Sequence, residues 1–190
     1  MFFLSQWYDI DRFTDTVETF VDDQPRILQS AQFVTGIVQE LMASDGIPPE
    51  KIVIGGFSQG GAVALTAALH GLGKGANLGG VFALSSYLPM RDMYPAPMMA
   101  DPQVAARTPM LLVHGDSDDI LPFEFGTVTA QKLDSLGANV EVRLFLFLFV
   151  RAIGLTCYYS LQFHRIYGMK HERLNAEETA ILARWLGQLL

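Results

Sequence analysis

Cysteine is almost absent from this chain: Cys157 is the single thiol in 190 residues. An internal disulfide is therefore excluded, and the composition suits a reducing compartment. Positive charge is scarce too. Thirteen Lys and Arg stand against 20 Asp and Glu, a net charge of −7. That leaves no basic stripe to neutralise a phosphate backbone, so nucleic acid is not an expected partner. The opening MFFLSQWYDIDR lacks the basic n-region, the long apolar run and the small-residue cleavage site of a secretory leader. These absences point to the cytoplasm. No internal repeat or linker divides the sequence, and with 50% hydrophobic and 17% charged residues it reads as one globular domain over 1–190. The acidic run HGDSDDILP could suggest a metal site, but no second ligand cluster or His-x-x-x-His spacing appears elsewhere, so no metal is expected.

Helix-like and strand-like stretches alternate along the chain. Ile27, Ala31, Val34, Val38 and Leu41 recur at helical spacing between Pro25 and DGIPPE. A first strand is expected over Lys51 to Phe57, and later ones over Gly80 to Leu84, Met110 to Val113 and Val140 to Leu144. Asn175, with Glu178 three residues on, opens a last amphipathic helix. Strands separated by helical crossovers predict an α/β fold, a mostly parallel sheet with helices on both faces.

The first strand runs into GGFSQGG (55–61), followed by the helical AVALTAALH. Strand, Gly56-x-Ser58-x-Gly60 and helix form the context of a nucleophile elbow, in which a sharp turn lifts a serine clear of the sheet. Side chains two residues before and two after such a serine would collide, so Gly56 and Gly60 are expected as steric necessities. No Gly-Lys-Ser/Thr follows, which disfavours a phosphate loop. Gln59 would open the helix, and its backbone N–H would face any oxyanion formed at Ser58.

A serine nucleophile needs a histidine base and a carboxylate to orient it. Of the four histidines, His70 ends the elbow helix and His114 ends a strand, positions that suit local structure. His164 falls in an unusual apolar segment. His171, between the last strand and the last helix, is where a loop can rise above the carboxyl ends of the strands. HGDSDDILP puts Asp116, Asp118 and Asp119 on one loop after the strand Met110 to Val113, and at least one can reach the base. The order Ser, Asp, His is that of α/β-hydrolases. Apolar walls for a substrate are expected from Trp7, Leu88, Met90 and Phe123, although such side chains often serve as core.

GGFSQGGAVAL, LSSYLPMR, PMLLVHGDSDDILPFEFGTVTAQKL and YGMKH, in that order, resemble the acyl-protein thioesterase branch of the phospholipase/carboxylesterase family. The resemblance implies an α/β-hydrolase fold with Ser58 as nucleophile, Asp118 as acid and His171 as base, and no cofactor. It further implies that S-acylated proteins are the substrates, with lysophospholipids or simple carboxylic esters as alternatives. A catalytically inactive acyl-binding protein is the rival of another class. No stable membrane insertion is expected, and the residues carry no signal of an oligomeric state.

Two departures from the family pattern stand out. The family's leading strands, one ending in His-Gly-Leu-Gly and supplying a second oxyanion donor, have no counterpart before Trp7-Tyr8-Asp9. The fold is thus expected to lack its first strands, with the elbow strand as an edge. Losing one such donor costs on the order of 10²–10³ in rate. Leu69-His70-Gly71-Leu72-Gly73 imitates the motif but follows a helical run, and reads as a helix end. The second departure is LFLFLFVRAIGLTCYYSLQFHR (144–165), inserted before YGMKH. Arg151 argues against a membrane span; an extended strand with an irregular tail, or read-through of an unspliced intron, are the remaining readings.

Overall fold

The computed structural model describes residues 6–10, 16–72, 77–99, 101, 103–144, 165–166 and 176–189. Helix α1 (Gln24–Ser44) begins where the Asp23 side chain accepts the Arg26 N–H and Pro25 occupies the first turn. It buries Ile27, Ala31, Thr35 and Val38, with Val34 and Leu41 packed at the core margin. Strand β1 is Val53–Phe57, shorter than expected, because Pro49–Lys51 forms a 3₁₀ turn. Pro49 suits the first position of that turn, where its fixed φ is compatible with a helical turn and its missing N–H is not needed.

Helix α2 (Gln59–Thr66) follows β1 directly and continues as a π-helical turn over Ala67–Gly71. The Leu69–Gly71 stretch is thus a helix end, as its sequence suggests, while Gly73 lies outside the described residues. Strand β2 (Gly80–Leu84), helix α3 (Val104–Arg107), strand β3 (Met110–Gly115), helix α4 (Phe123–Ser135) and strand β4 (Val140–Leu144) come next. A short β5 (Arg165–Ile166) and helix α5 (Ala176–Leu189) complete the described chain. The insertion is described only at its ends, and Asn175 lies outside the described residues.

Among the described residues the sheet runs β1-β2-β3-β4, all pairs parallel, and β5 joins β3 with His114 opposite Arg165 and Gly115 opposite Ile166. β1 pairs β2 on one side, and no other described strand lies beside it. Parallel strands are covered on both faces, and alternate residues show how. Val81, Ala83, Met110 and Leu112 join α1, α2 and α4 in one core. Phe82, Leu84, Leu111 and Val113 face the other way, against Trp185, Ile181 and Leu182 of α5. No helix among the described residues is long and apolar enough to cross a membrane.

Helix α5 lies so close to the sheet that a Cβ on Gly80 would sit 2.5 Å from the Trp185 ring. Trp185 is therefore the wedge of this smaller core. Trp185→Ala should lower the unfolding free energy by about 3–5 kcal/mol, measured by urea denaturation. A loss under 1 kcal/mol would show that α5 is not needed to close that face.

Candidate active site

The elbow is built as follows. β1 ends at Phe57, and Ser58 takes φ 53°, ψ −123° before α2 begins at Gln59. A non-glycine residue in that region costs about 1–3 kcal/mol and persists only when its surroundings hold it. Those surroundings are specific. The Ser58 N–H donates to Leu84 O at 2.8 Å, and Ser58 O accepts from Gly61 N, Ala62 N and the Ser86 hydroxyl at 3.1, 3.2 and 2.7 Å. With Gly61 and Ala62 spent on Ser58 O, the Gln59 N–H stands ahead of them at the positive end of the helix.

The glycine expectation holds only in part. A Cβ on Gly56 would lie 2.6 Å from Gly60 C and 2.9 Å from Gly60 Cα, but a Cβ on Gly60 would meet only Trp7 Nε1, at 3.8 Å. The second bare position is instead Gly61, whose Cβ would lie 2.8 Å from both Gly56 O and the Ser86 side chain. The first helical turn brings residue 61, not the Cβ of residue 60, onto the strand.

Asp118 is the loop carboxylate held inward. It is buried, whereas Asp116 is half-exposed and Asp119 exposed. Its Oδ1 accepts the N–H groups of Ile120 and Leu121 at 3.0 and 2.7 Å, and its Oδ2 lies 3.7 Å from His114 Nε2. That nitrogen of His114 is itself 2.9 Å from Leu121 O, and the ring meets Phe123 edge-on at 6.0 Å. Ser58 and Asp118 thus stand at the carboxyl ends of β1 and β3, with only β2 between. At about 4.8 Å per strand step the two strand axes lie ~10 Å apart. His70, at the far end of the elbow helix, contacts Met98 O at 2.8 Å. His171 and His164 lie outside the described residues.

The four expected wall residues do not form one wall. Leu88 and Met90 line a cavity of about 320 Å³ together with Phe20, Asp22, Tyr87 and Phe125. Phe123 belongs to the His114 surroundings instead. Trp7 is 43% exposed and borders the elbow, held there by its backbone: its N–H donates to Gln59 Oε1 at 3.2 Å and its carbonyl accepts from Ser30. Gln59 Nε2 also donates to Tyr8 O at 3.0 Å. Sequence reasoning gave Gln59 only a backbone role, because nothing in the pattern indicates which segment a side-chain amide will clamp.

It also missed a buried polar chain beside the cavity. The Tyr8 hydroxyl donates to the Tyr87 hydroxyl at 3.0 Å, which donates to Asp22 Oδ1 at 3.1 Å, while Asp22 Oδ2 accepts the Met90 N–H at 2.7 Å. Burial raises the Asp22 carboxyl above its usual range, and the bonds from Met90 and Tyr87 and the nearby Arg91 charge only partly offset this. Burial likewise raises both phenols, so they stay protonated and able to donate.

The elbow geometry separates its glycines experimentally. Gly56→Ala and Gly61→Ala should each destabilise the fold by about 1–3 kcal/mol through overpacking, whereas Gly60→Ala should be tolerated within about 0.5 kcal/mol. Thermal unfolding of the three variants checks the ranking, and a Gly60→Ala as damaging as Gly56→Ala would refute it.

Comparison with known proteins follows the same outline. A phospholipase/carboxylesterase family model matches residues 3–146. Acyl-protein thioesterase 1 of Neurospora crassa is 37% identical over 137 residues, 71% of this chain and 54% of that protein. Acyl-protein thioesterase 1 homolog 1 of Dictyostelium discoideum is 32% identical over 140 residues, 74% of this chain and 58% of that protein. The chain therefore spans little more than half the length of these relatives. Acyl-protein thioesterase 2 of Zea mays superposes with a TM-score of 0.68 at 26% identity, covering 97% of this chain and 72% of the other. SOBER1 of Arabidopsis thaliana shares the fold, with a TM-score of 0.74 at 23% identity, covering 97% and 73%. The strand-to-helix serine turn, the parallel sheet behind it and the matched residues 3–146 together show that this chain belongs to the phospholipase/carboxylesterase family.

Proposed function

We propose that this chain is a serine hydrolase that cleaves acyl thioesters and esters, with fatty-acylated protein cysteines as its substrate class. One observation carries the reading: Ser58 sits at φ 53° on the tip of a strand-to-helix turn, a backbone whose cost is hard to explain unless the side chain must be presented. In this scheme Ser58 Oγ attacks the acyl carbonyl, His171 accepts its proton, and Asp118 holds the imidazole and stabilises its cation. The tetrahedral oxyanion meets the Gln59 N–H. Collapse expels the thiolate, which takes the proton from His171, and a water activated by the same histidine hydrolyses the acyl-enzyme. No step calls for a metal or cofactor.

The geometry supports the two outer members of that triad separately. Asp118 is already oriented by its own loop. The chain re-enters the sheet at Ile166, opposite Gly115, and five residues can span roughly 17 Å, enough reach for His171 to come to Asp118. The relatives' names supply the thioester class, and the family description keeps a carboxylesterase or lysophospholipase activity as the second reading. The cavity beside Tyr87, whose wall combines apolar side chains such as Phe20, Leu88 and Val128 with the charged Asp22, Arg91 and Asp92, is offered as room for part of an acyl chain. The lone cysteine and the lack of a spanning helix among the described residues favour a cytoplasmic site of action.

A fluorophosphonate probe should label Ser58 covalently, read by peptide mass, and Ser58→Ala should abolish labelling; an unlabelled, folded chain would support an acyl-binding protein instead. Turnover of thioester and ester substrates of graded chain length should fall on the order of 10⁶-fold in Ser58→Ala or His171→Ala and on the order of 10⁴-fold in Asp118→Asn. Silencing by His164→Ala, with His171→Ala active, would reassign the base.

A further inference from the structure

Asp22 lies far from Ser58 in sequence and takes no part in the chemistry above, yet the hydrogen bonds that start on its carboxylate end on the elbow. One branch runs along the segment 85–90, which follows β2. Ser85 and Met90 both have positive φ, 43° and 52°, in a region that ordinary side chains avoid. The segment is therefore held rather than relaxed, and its ties are visible. Ser85 N donates to Val113 O, Leu88 N to Thr129 Oγ1, and the Ser86 hydroxyl to Ser58 O. At its far end the Tyr87 hydroxyl and the Met90 N–H both go to Asp22. The second branch passes from Tyr87 to the Tyr8 hydroxyl and from Tyr8 O to the Gln59 amide. The branches meet the elbow at Ser58 and Gln59, adjacent residues that carry the nucleophile and the oxyanion donor.

We propose that Asp22 is a positioning residue for the reaction at Ser58: by accepting from Tyr87 and Met90 it fixes the segment whose Ser86 holds Ser58 O, and the tyrosine pair whose Tyr8 holds the Gln59 side chain. The inference rests on Ser58 being the nucleophile. Its carboxylate holds Tyr87, where the two branches join, and Met90 at the end of the segment, and it comes from the stretch just before α1, outside the sheet and outside the elbow. Its neighbours are chosen accordingly. Phe20, Tyr87 and Phe125 pack edge-to-face at 5.2, 5.3 and 5.8 Å, holding the Tyr87 ring with its hydroxyl between Tyr8 and Asp22.

The test uses the whole chain and three variants. Asp22→Leu keeps the branched skeleton of the side chain but removes both acceptors. Asp22→Asn keeps an oxygen for Met90 and can donate to the Tyr87 hydroxyl, and Tyr87→Phe removes only that hydroxyl. Rates are normalised to sites titrated with a fluorophosphonate, so that loss of folded protein is not read as loss of catalysis. For a short-chain ester, Asp22→Leu should lower kcat about tenfold with little change in KM, as a misplaced nucleophile does, Tyr87→Phe should lower it less, and Asp22→Asn should recover most of the rate. Amide hydrogen exchange provides a second readout that needs no turnover: Asp22→Leu and Tyr87→Phe should speed exchange in peptides covering 57–62 and 85–91 while leaving 123–135 protected. If Asp22→Leu does not fold, Tyr87→Phe decides alone. Unchanged kcat per titrated site together with unchanged exchange at 57–62 would overturn the proposal. A wild-type chain that neither labels nor turns over would defeat the reading of Ser58, and faster exchange at 57–62 in the variants would still show that Asp22 holds the elbow.

Discussion

Between Gly56 and the backbone of Gly60 and Gly61 there is no room for a methyl group, and that contact sets the rest of the site. A strand that must turn at once into a helix lying against it has few backbone paths. Here the path passes through Ser58 at φ 53°. The unfavourable conformation, about 1–3 kcal/mol, is opposed by four hydrogen bonds on the Ser58 N–H and carbonyl, each of which contributes about 0.5–1.5 kcal/mol net. Summed, these bonds match or exceed that cost, so the turn is held by its partners. A backbone fixed in this way needs no reorganisation if the side chain it carries is to react, which is the condition for electrostatic preorganisation.

Those partners come from two neighbouring parts of the fold. Leu84 O, at the end of β2, receives the Ser58 N–H, and the residues immediately after it turn over the elbow and supply Ser86. Strand pairing therefore does more than build a sheet: the parallel register that sets Phe57 opposite Leu84 also brings Ser86 to Ser58 O. The sheet is in turn clamped between two unequal cores, a large one under α1, α2 and α4 and a small one closed by Trp185. A change of one residue in register would exchange Val81 and Ala83 with Phe82 and Leu84 between these cores, and the volumes would no longer fit.

Much of this was legible in the letters. Gly80–Leu84 and Val140–Leu144 were readable as strands because short β-branched and aromatic runs between turn residues have little alternative in an α/β chain. Ser58 was readable because steric exclusion acts over five residues and leaves glycines behind. What exceeds that range was not. Gly61 was passed over in favour of Gly60 because the helix phase at its first turn decides which Cβ faces the strand. The Asp22–Tyr87 contact spans 65 residues, and Asp22 stands beside Asp23, which caps α1. Two adjacent aspartates before a helix look alike in sequence, yet one caps the helix while the other accepts from the Tyr87 hydroxyl and the Met90 N–H.

The proposed nucleophile and the proposed acid are made by different physics, and this bears on the proposed base. Ser58 depends on packing between strand and helix. Asp118 depends on two N–H groups of its own loop, a local arrangement of the kind aspartates adopt in turns. The family match ends at residue 146, after both of them and before His171. What brings the chain back is the pairing of Arg165 and Ile166 with His114 and Gly115, and a register on β3 is indifferent to how many residues separate β4 from β5. Loop-closure cost grows only as the logarithm of length, about 0.6 kcal/mol per doubling. The 20 residues between β4 and β5 therefore add only a small closure cost. In the proposed scheme the two backbone pairs at His114 and Gly115 return the chain toward Asp118, whatever the length of the stretch before them.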